Sequence, residues 1–250
     1  MNIVLKNGDK LSLTEGATCA MAAAAISEGL ARGAVAAKVN GRTVDLSTPL
    51  AEGDALEIVT LKDPEGLAIY RHTCAHVLAQ AIKTIYPTSK LAIGPTIENG
   101  FYYDIDFVTP ITQDDLAKIE SEMTKIIKSD LPLERFTLPR SEALALMSKY
   151  QEKYKVELIQ DLPEGETISF YKQGGFVDLC RGPHLPSTGK IKAFKLTGIA
   201  GAYWRGSEKN KMLTRIYGTA FPKKSDMDAY FAMLEEAKKR DHIKLGKELK

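Results

Sequence analysis

No stretch of this 250-residue chain approaches the roughly 18 consecutive apolar residues that a membrane span requires. The first residues, MNIVLKNGDKLSL, also lack the apolar core of a secretory signal. Cysteine is scarce: three residues, an odd number and far apart, cannot supply a disulfide framework, which points to a reducing compartment. A soluble, cytoplasmic protein with no membrane partner is therefore expected. An excess of one charge is missing too. The formal net charge is +2, with 34 basic against 32 acidic side chains spread evenly, so no global field advertises nucleic acid. A polyanionic partner would have to be held by a local patch, or by parts of a longer protein.

What is present is ordinary for a globular chain: 44% apolar and 26% charged residues, enough for one large domain or two smaller ones. Residues 1–62 read as a small mixed unit. Asn7-Gly8 and Asn40-Gly41 are hairpin signals, because a two-residue turn needs positive φ at both positions. They join strands at 2–6 and 10–13, and at 34–39 and 43–46. An alanine-rich helix, 18–30, lies between the hairpins, and a last strand runs from 55 to 60. That order fits a β-grasp unit, which docks or binds and carries no chemistry of its own.

Lys62-Asp63-Pro64-Glu65-Gly66 is a turn-rich boundary. The second unit, 63–222, opens with a helix over 65–86, stopped by Pro87. A strand containing Phe101-Tyr102-Tyr103 follows, then helices at 112–129 (capped by Thr112) and 141–150, with strands at 131–137 and 155–159. A hairpin across Gly174-Gly175 continues the sheet through 192–196, 201–205 and 211–217. The pattern is α+β, helices segregated from an antiparallel sheet. Past Pro222, Ser225 caps a charged helix, 223–250, that reaches Lys250 with no stop signal and reads as a linker toward a further domain.

Two distant stretches carry the chemistry: His72-Thr-Cys-Ala-His76 and Cys180-Arg-Gly-Pro-His184. They contain three of the four histidines and two of the three cysteines. His72 and His76, at i and i+4 on a helix, share one face. Gly182 and Pro183 make the second stretch a loop. Together they would give three imidazoles and a thiol in one pocket, either a zinc cage or a hydrolytic site in which an imidazole acts on water. The histidine pair could also merely decorate its helix. Cys180 could be a nucleophile, although no oxyanion-hole turn surrounds it. Asp178, on the strand face of Cys180, could orient a histidine, accept a substrate ammonium or sit in solvent. Lys155 opens an apolar stretch, where it could face a pocket and hold an oxyanion or phosphate, or could snorkel. Either Tyr102 or Tyr103 could face the site.

At this point the sequence becomes recognisable. HTCAHVLAQAI, AIGPTIENGFYYDID, YKVELI, DLCRGPHLPSTG and FKLTGIAGAYWRGSEKNKMLTRIYGTAF together closely resemble bacterial threonyl-tRNA synthetase. Residues 1–62 resemble its ubiquitin-like TGS domain, 63–222 its editing domain, and 223–250 the linker helix to its catalytic domain. The two histidine motifs alone are shared with alanyl-type editing domains; the TGS unit and the tryptophan block select the threonyl family.

The resemblance implies hydrolysis of serine wrongly esterified to threonine tRNA. A missing methyl gives a synthetic site only about 1–3 kcal/mol of discrimination, so a second site must remove the error. By motif, His72 and Lys155 would position and activate the water, with His76, Cys180 and His184 completing the catalytic pocket. Asp178 would bind the seryl amino group and Tyr103 would support the terminal adenosine. No cofactor is implied for editing. The four-residue cluster would bind zinc only if the alanyl-type pattern held, and the ATP and zinc of aminoacylation belong to a catalytic domain whose motifs are absent here. Expected partners are the 3′ end of threonine tRNA and that catalytic domain; the chain alone is expected to be a monomer. The rival readings are a tRNA-docking module with a structural zinc site, and a zinc hydrolase of a small substrate.

Overall fold

A computed structural model describes residues 1–248, with side chains described through residue 240. The first unit comprises β1 (Asn2–Leu5), β2 (Lys10–Ser12), α1 (Cys19–Ile26), α2 (Glu28–Gly33), β3 (Ala34–Val39), β4 (Arg42–Val44) and β5 (Ala55–Thr60). The strands order as β2-β1-β5-β3-β4, with β1 and β5 parallel and every other pair antiparallel. This is the expected β-grasp arrangement. α1 buries Cys19, Ala22 and Ala23 on a core that includes Ile3, Ala37 and Leu56. The small alanines let the helix lie close to the sheet.

Two local expectations need correction. The helix expected over 18–30 is two helices, because Ser27 adopts an extended conformation and its hydroxyl caps the Leu30 amide. Serine here competes with the helix for its own backbone groups. The two hairpin signals also differ. Asn40 and Gly41 both take positive φ, 51° and 80°, whereas at Asn7-Gly8 only Gly8 does. There Asn7 instead accepts the Asp9 amide through its side chain.

The second unit begins with α3 (Pro64–Ile85), followed by β6 (Lys90–Leu91), β7 (Thr96–Ile97), β8 (Gly100–Asp106), α4 (Leu116–Lys128) and β9 (Leu133–Leu138). Next come α5 (Arg140–Lys149), α6 (Lys153–Asp161), β10 (Ile168–Gln173), β11 (Phe176–Leu179), β12 (Ala193–Tyr203), β13 (Met212–Phe221) and α7 (Lys224–Glu248). The end of the linker helix expected to reach Lys250 lies outside the described residues.

The strands form two sheets rather than one continuous sheet. β12-β13-β8-β6, with β7 on β8, carries α3 and α4. β11-β10-β9 is separate, and with α5 and α6 it encloses its own core of Ala143, Met147, Ile159, Ile168 and Phe170. The strands expected at 192–196 and 201–205 are one strand, β12, with a register irregularity between Leu196 and Gly198. Segregated helices and antiparallel pairing hold throughout this unit.

The segment 155–159, expected as a strand, is the helix α6. Its apolar residues, Val156, Leu158 and Ile159, span too few positions to separate the two periods. On a helix, Tyr154 and Leu158 share one face and join Ala92, Trp204 and Leu213. Val156, Ile159 and Leu162 meet the α5 core instead. A segment wedged between two cores needs two apolar faces, and a helix provides them.

The units share a boundary core. Val35, Ala36 and Val59 of the first pack with Ile69 and Tyr70 of the second. Glu65, in the first turn of α3, pairs with Lys38 at 2.8 Å and accepts from the Thr43 hydroxyl.

Candidate active site

α3 presents His72 and His76 one turn apart, with ring centroids 5.0 Å apart. β11 pairs with β10 in the register Tyr171 to Asp178 and Phe170 to Leu179, which carries Cys180 to the α3 face. The loop after it, through a cis Gly182-Pro183 bond, returns His184 to the same place. The His184 ring stacks on His72 at 4.4 Å and meets His76 edge-on at 4.2 Å. Cys180 Sγ lies 3.0 Å from His72 Nε2 and 3.3 Å from His184 Nε2, and accepts the Gly182 N–H at 3.2 Å. The four residues named from sequence therefore share one cluster.

A second group packs against it. Lys155 from α6 places its Nζ 2.8 Å from Asp178 Oδ1 and donates to the Tyr103 hydroxyl at 3.0 Å. Tyr103, from β8, donates to Asp178 Oδ2 at 2.6 Å. His76 Nε2 is 3.9 Å from that same oxygen. Lys155 thus faces the pocket, but from a helix. Of the two tyrosines, Tyr103 is the internal one. It is sealed behind Asp178, while the Tyr102 ring packs under the Arg215 guanidinium at 3.8 Å.

Burial sets the protonation states. Burial lowers the pKa of all three clustered histidines; His76 falls to about 3, and His184 well below its ordinary value. The His76–Asp178 approach is consequently not an ion pair near neutral pH. Burial also pushes the Cys180 thiol up to about 12, against the Gly182 N–H that favours the thiolate. For Asp178 burial is the largest influence and opposes ionisation, but Lys155, His76 and the Tyr103 hydroxyl together outweigh it and hold the carboxyl below its usual range. Near pH 7 the pocket holds neutral imidazoles, a protonated thiol and one carboxylate.

Thr73, between the two histidines of the α3 motif, fixes a tautomer. Its hydroxyl lies 3.0 Å from the Ile69 carbonyl, 3.0 Å from His184 Nδ1 and 3.0 Å from the Leu185 amide. The carbonyl can only accept, so the single hydroxyl proton goes there. Leu185 N–H and His184 Nδ1–H then donate to the oxygen, and His184 Nε2 turns its lone pair on Cys180. Sequence reading passed over Thr73, although its place within HTCAH was a signal. It also passed over Asp45, which accepts the His184 amide and the Tyr171 hydroxyl and for which no local signal exists.

His72 and Cys180 are the half-buried members of the cluster, whereas His76 and His184 are buried. A cavity of about 260 Å³, lined by Leu158, Leu162, Ile168, Leu179 and Arg181, opens onto Cys180. Three imidazoles and a thiol are donors that zinc accepts, and their ligand atoms lie within 4.8 Å of one another. His72, His76, Cys180 and His184 are thus the residues that would hold such an ion, with Thr73 orienting His184 behind it.

Comparison with known proteins agrees with this architecture. Residues 1–60 match the TGS domain, and residues 168–217 match the threonyl and alanyl tRNA synthetase second additional domain. The chain is 63% identical over 249 residues to a threonine–tRNA ligase of Acetivibrio thermocellus. Identity is 60% to that of Clostridium tetani and 59% to that of Clostridioides difficile. Each match takes in the whole chain but 39% of the relative, so the chain spans about two fifths of the length of these curated relatives. Among the described residues no helix is long and apolar enough to cross a membrane. Over its whole length the chain is thus similar to about two fifths of bacterial threonine–tRNA ligases, and it carries a match to the TGS domain followed by a match to the second additional domain.

Proposed function

We propose that the pocket hydrolyses the ester joining a misattached serine to the 3′ end of threonine tRNA. One observation carries this reading: a cluster of neutral imidazoles and a thiol packs directly against a buried Lys155–Asp178–Tyr103 triad. The ligation step itself, with its ATP and zinc, is assigned to the part of the relatives' length that this chain does not span.

His72, half-buried and neutral near pH 7, holds a water and takes its proton. The resulting hydroxide adds to the ester carbonyl. Lys155 has spent two of its three N–H donors on Asp178 and Tyr103 and keeps the third for the oxyanion. Collapse breaks the bond to the ribose oxygen, which leaves with the proton from His72; the products are serine and tRNA with a free terminal hydroxyl. Asp178 has lone pairs beyond those facing Lys155 and Tyr103, and these accept the seryl ammonium. Tyr103 donates to Asp178 and accepts from Lys155, and acts by orienting the two. The protonated Cys180 argues for attack by water over a covalent thioester.

No metal is required in this reading. A structural zinc cage needs only its four ligands. The buried ionic triad beside it costs desolvation energy and has no part in such a cage. On this reading threonine is discriminated against by its extra methyl, the group that a synthetic site cannot use to exclude serine.

The test is deacylation of seryl- and threonyl-tRNA, both on the threonine tRNA, by the whole chain with and without a chelator. Fast loss of serine, slow loss of threonine and indifference to chelator are expected. Activity abolished by chelation would reassign the cluster to zinc. Loss of neither amino acid would leave a docking fragment.

A further inference from the structure

We propose that Asp45, a residue of the β-grasp unit, is a positioning residue for the pocket of the second unit. Its effect on rate rests on the hydrolytic reading above; its effect on the loop rests on geometry alone.

Asp45 follows β4, and its carboxylate divides between two elements of the other unit. Oδ2 accepts the Tyr171 hydroxyl at 2.6 Å, and Oδ1 accepts the His184 backbone N–H at 2.9 Å. One side chain thus ties β10 to the returning end of the Cys180–His184 loop, across 139 positions in sequence. Tyr171 is the second half of the device. Its ring, 1% exposed, packs edge-on against the His184 ring at 4.4 Å. Gly182, at φ +71°, lies so close beneath the Tyr171 hydroxyl that a Cβ there would overlap it. The backbone of His184, its ring and Gly182 are therefore all referenced to the Asp45–Tyr171 pair.

These are the atoms that set the pocket. Gly182 N–H is bonded to Cys180 Sγ, and His184 contacts Cys180, His72 and His76. Without Asp45 the His184 amide loses its acceptor and the loop loses its reference to Tyr171. Asp45 touches none of the reacting groups, so its influence passes through His184.

The experiment uses Asp45→Ala, Asp45→Asn and Tyr171→Phe in the whole chain. Three quantities are followed: hydrogen exchange of the His184 amide, kcat and KM for seryl-tRNA deacylation, and Tm. Asn retains an oxygen for the His184 amide, so Asp45→Asn is the conservative rescue. In Asp45→Ala the amide loses protection and kcat falls on the order of 100-fold with little change in KM, the scale of a misplacement near 1 Å. Asp45→Asn keeps the protection and recovers most of kcat. Full protection and wild-type kcat in Asp45→Ala would overturn the proposal. So would equal losses of kcat in Asp45→Ala and Asp45→Asn that track Tm, because Asp45 would then only hold the units together. If the wild-type chain deacylates nothing, yet Asp45→Ala alone loses His184 protection, the positioning stands and the hydrolytic reading fails.

Discussion

Lys155 Nζ and Asp178 Oδ1 form a 2.8 Å ion pair whose two residues are only 3% and 2% exposed. Neither charge can be relieved by water, so each depends on the other and on Tyr103. Removing one partner of such a pair costs about 3–5 kcal/mol, because the survivor stays buried and uncompensated, while replacing both with apolar groups is often neutral. Lys155→Met should therefore destabilise the chain strongly. The double variant Lys155→Met/Asp178→Leu should regain most of that stability in urea melts and remain inactive as a deacylase. A double variant as unstable as the single one would show that the pair is held for packing.

The same pair shows what could and could not be read from sequence. That Lys155 faces a pocket was one of two readings the pattern left open, because a lysine in an apolar segment can also snorkel to solvent. That the segment is a helix was not legible, since YKVEL satisfies both periods and only the two flanking cores decide. The histidine motifs were legible because the i, i+4 spacing and the Gly182-Pro183 break each fix local geometry. The second sheet was hidden for the opposite reason: which strands pair is set by contacts far apart in sequence, and β9 pairs with β10 across the intervening α5 and α6. Asp45 belongs to the same class, its partners lying more than a hundred positions away.

Three histidines kept neutral by burial make the fold acid-sensitive. Their folded pKa values lie below the unfolded value near 6.5, so the unfolded chain binds more protons as the pH falls. The stability they contribute is complete above about pH 6.5 and is lost progressively toward pH 3, where His76 finally titrates in the folded state. Asp178, with its lowered folded pKa, contributes loss of the same sign at lower pH. The urea midpoint should fall steadily from pH 6.5 to pH 4. A flat midpoint across that interval, or an NMR titration of His76 near 6.5, would contradict the burial argument.

Thr73 satisfies Leu185 N–H and His184 Nδ1–H through a single oxygen. Thr73→Val keeps the shape and leaves both donors buried without a partner, at about 1–3 kcal/mol for each unsatisfied group. Thr73→Ser keeps the oxygen and should stay close to wild type. The nitrogen spectrum of His184 should report Nδ1–H in wild type and Thr73→Ser, and a tautomer mixture in Thr73→Val. Nε2–H in the wild type would mean that the Thr73 proton goes to the histidine and that the orientation derived for Cys180 is reversed.

Gly66, in the first turn of α3, meets the first unit so closely that a Cβ would collide with the Thr60 carbonyl oxygen. Glycine inside a helix ordinarily costs about 1 kcal/mol relative to alanine, so Gly66→Ala would stabilise an unobstructed helix. Here the sign should reverse. The obstacle is backbone at the end of β5, which also accepts the Asp63 amide, and it cannot rotate away as a side chain would. Relief requires α3 to shift against the β-grasp unit, which strains the Glu65 contacts to Lys38 and Thr43 and moves His72, less than two turns along the same helix. Gly66→Ala should lower Tm and reduce deacylation together, whereas Gly29→Ala, with open space around its Cβ position, should do neither. A stabilised Gly66→Ala with full activity would show that the two units adjust freely at their boundary, and the tie from Asp45 to His184 would then have to hold without support from α3.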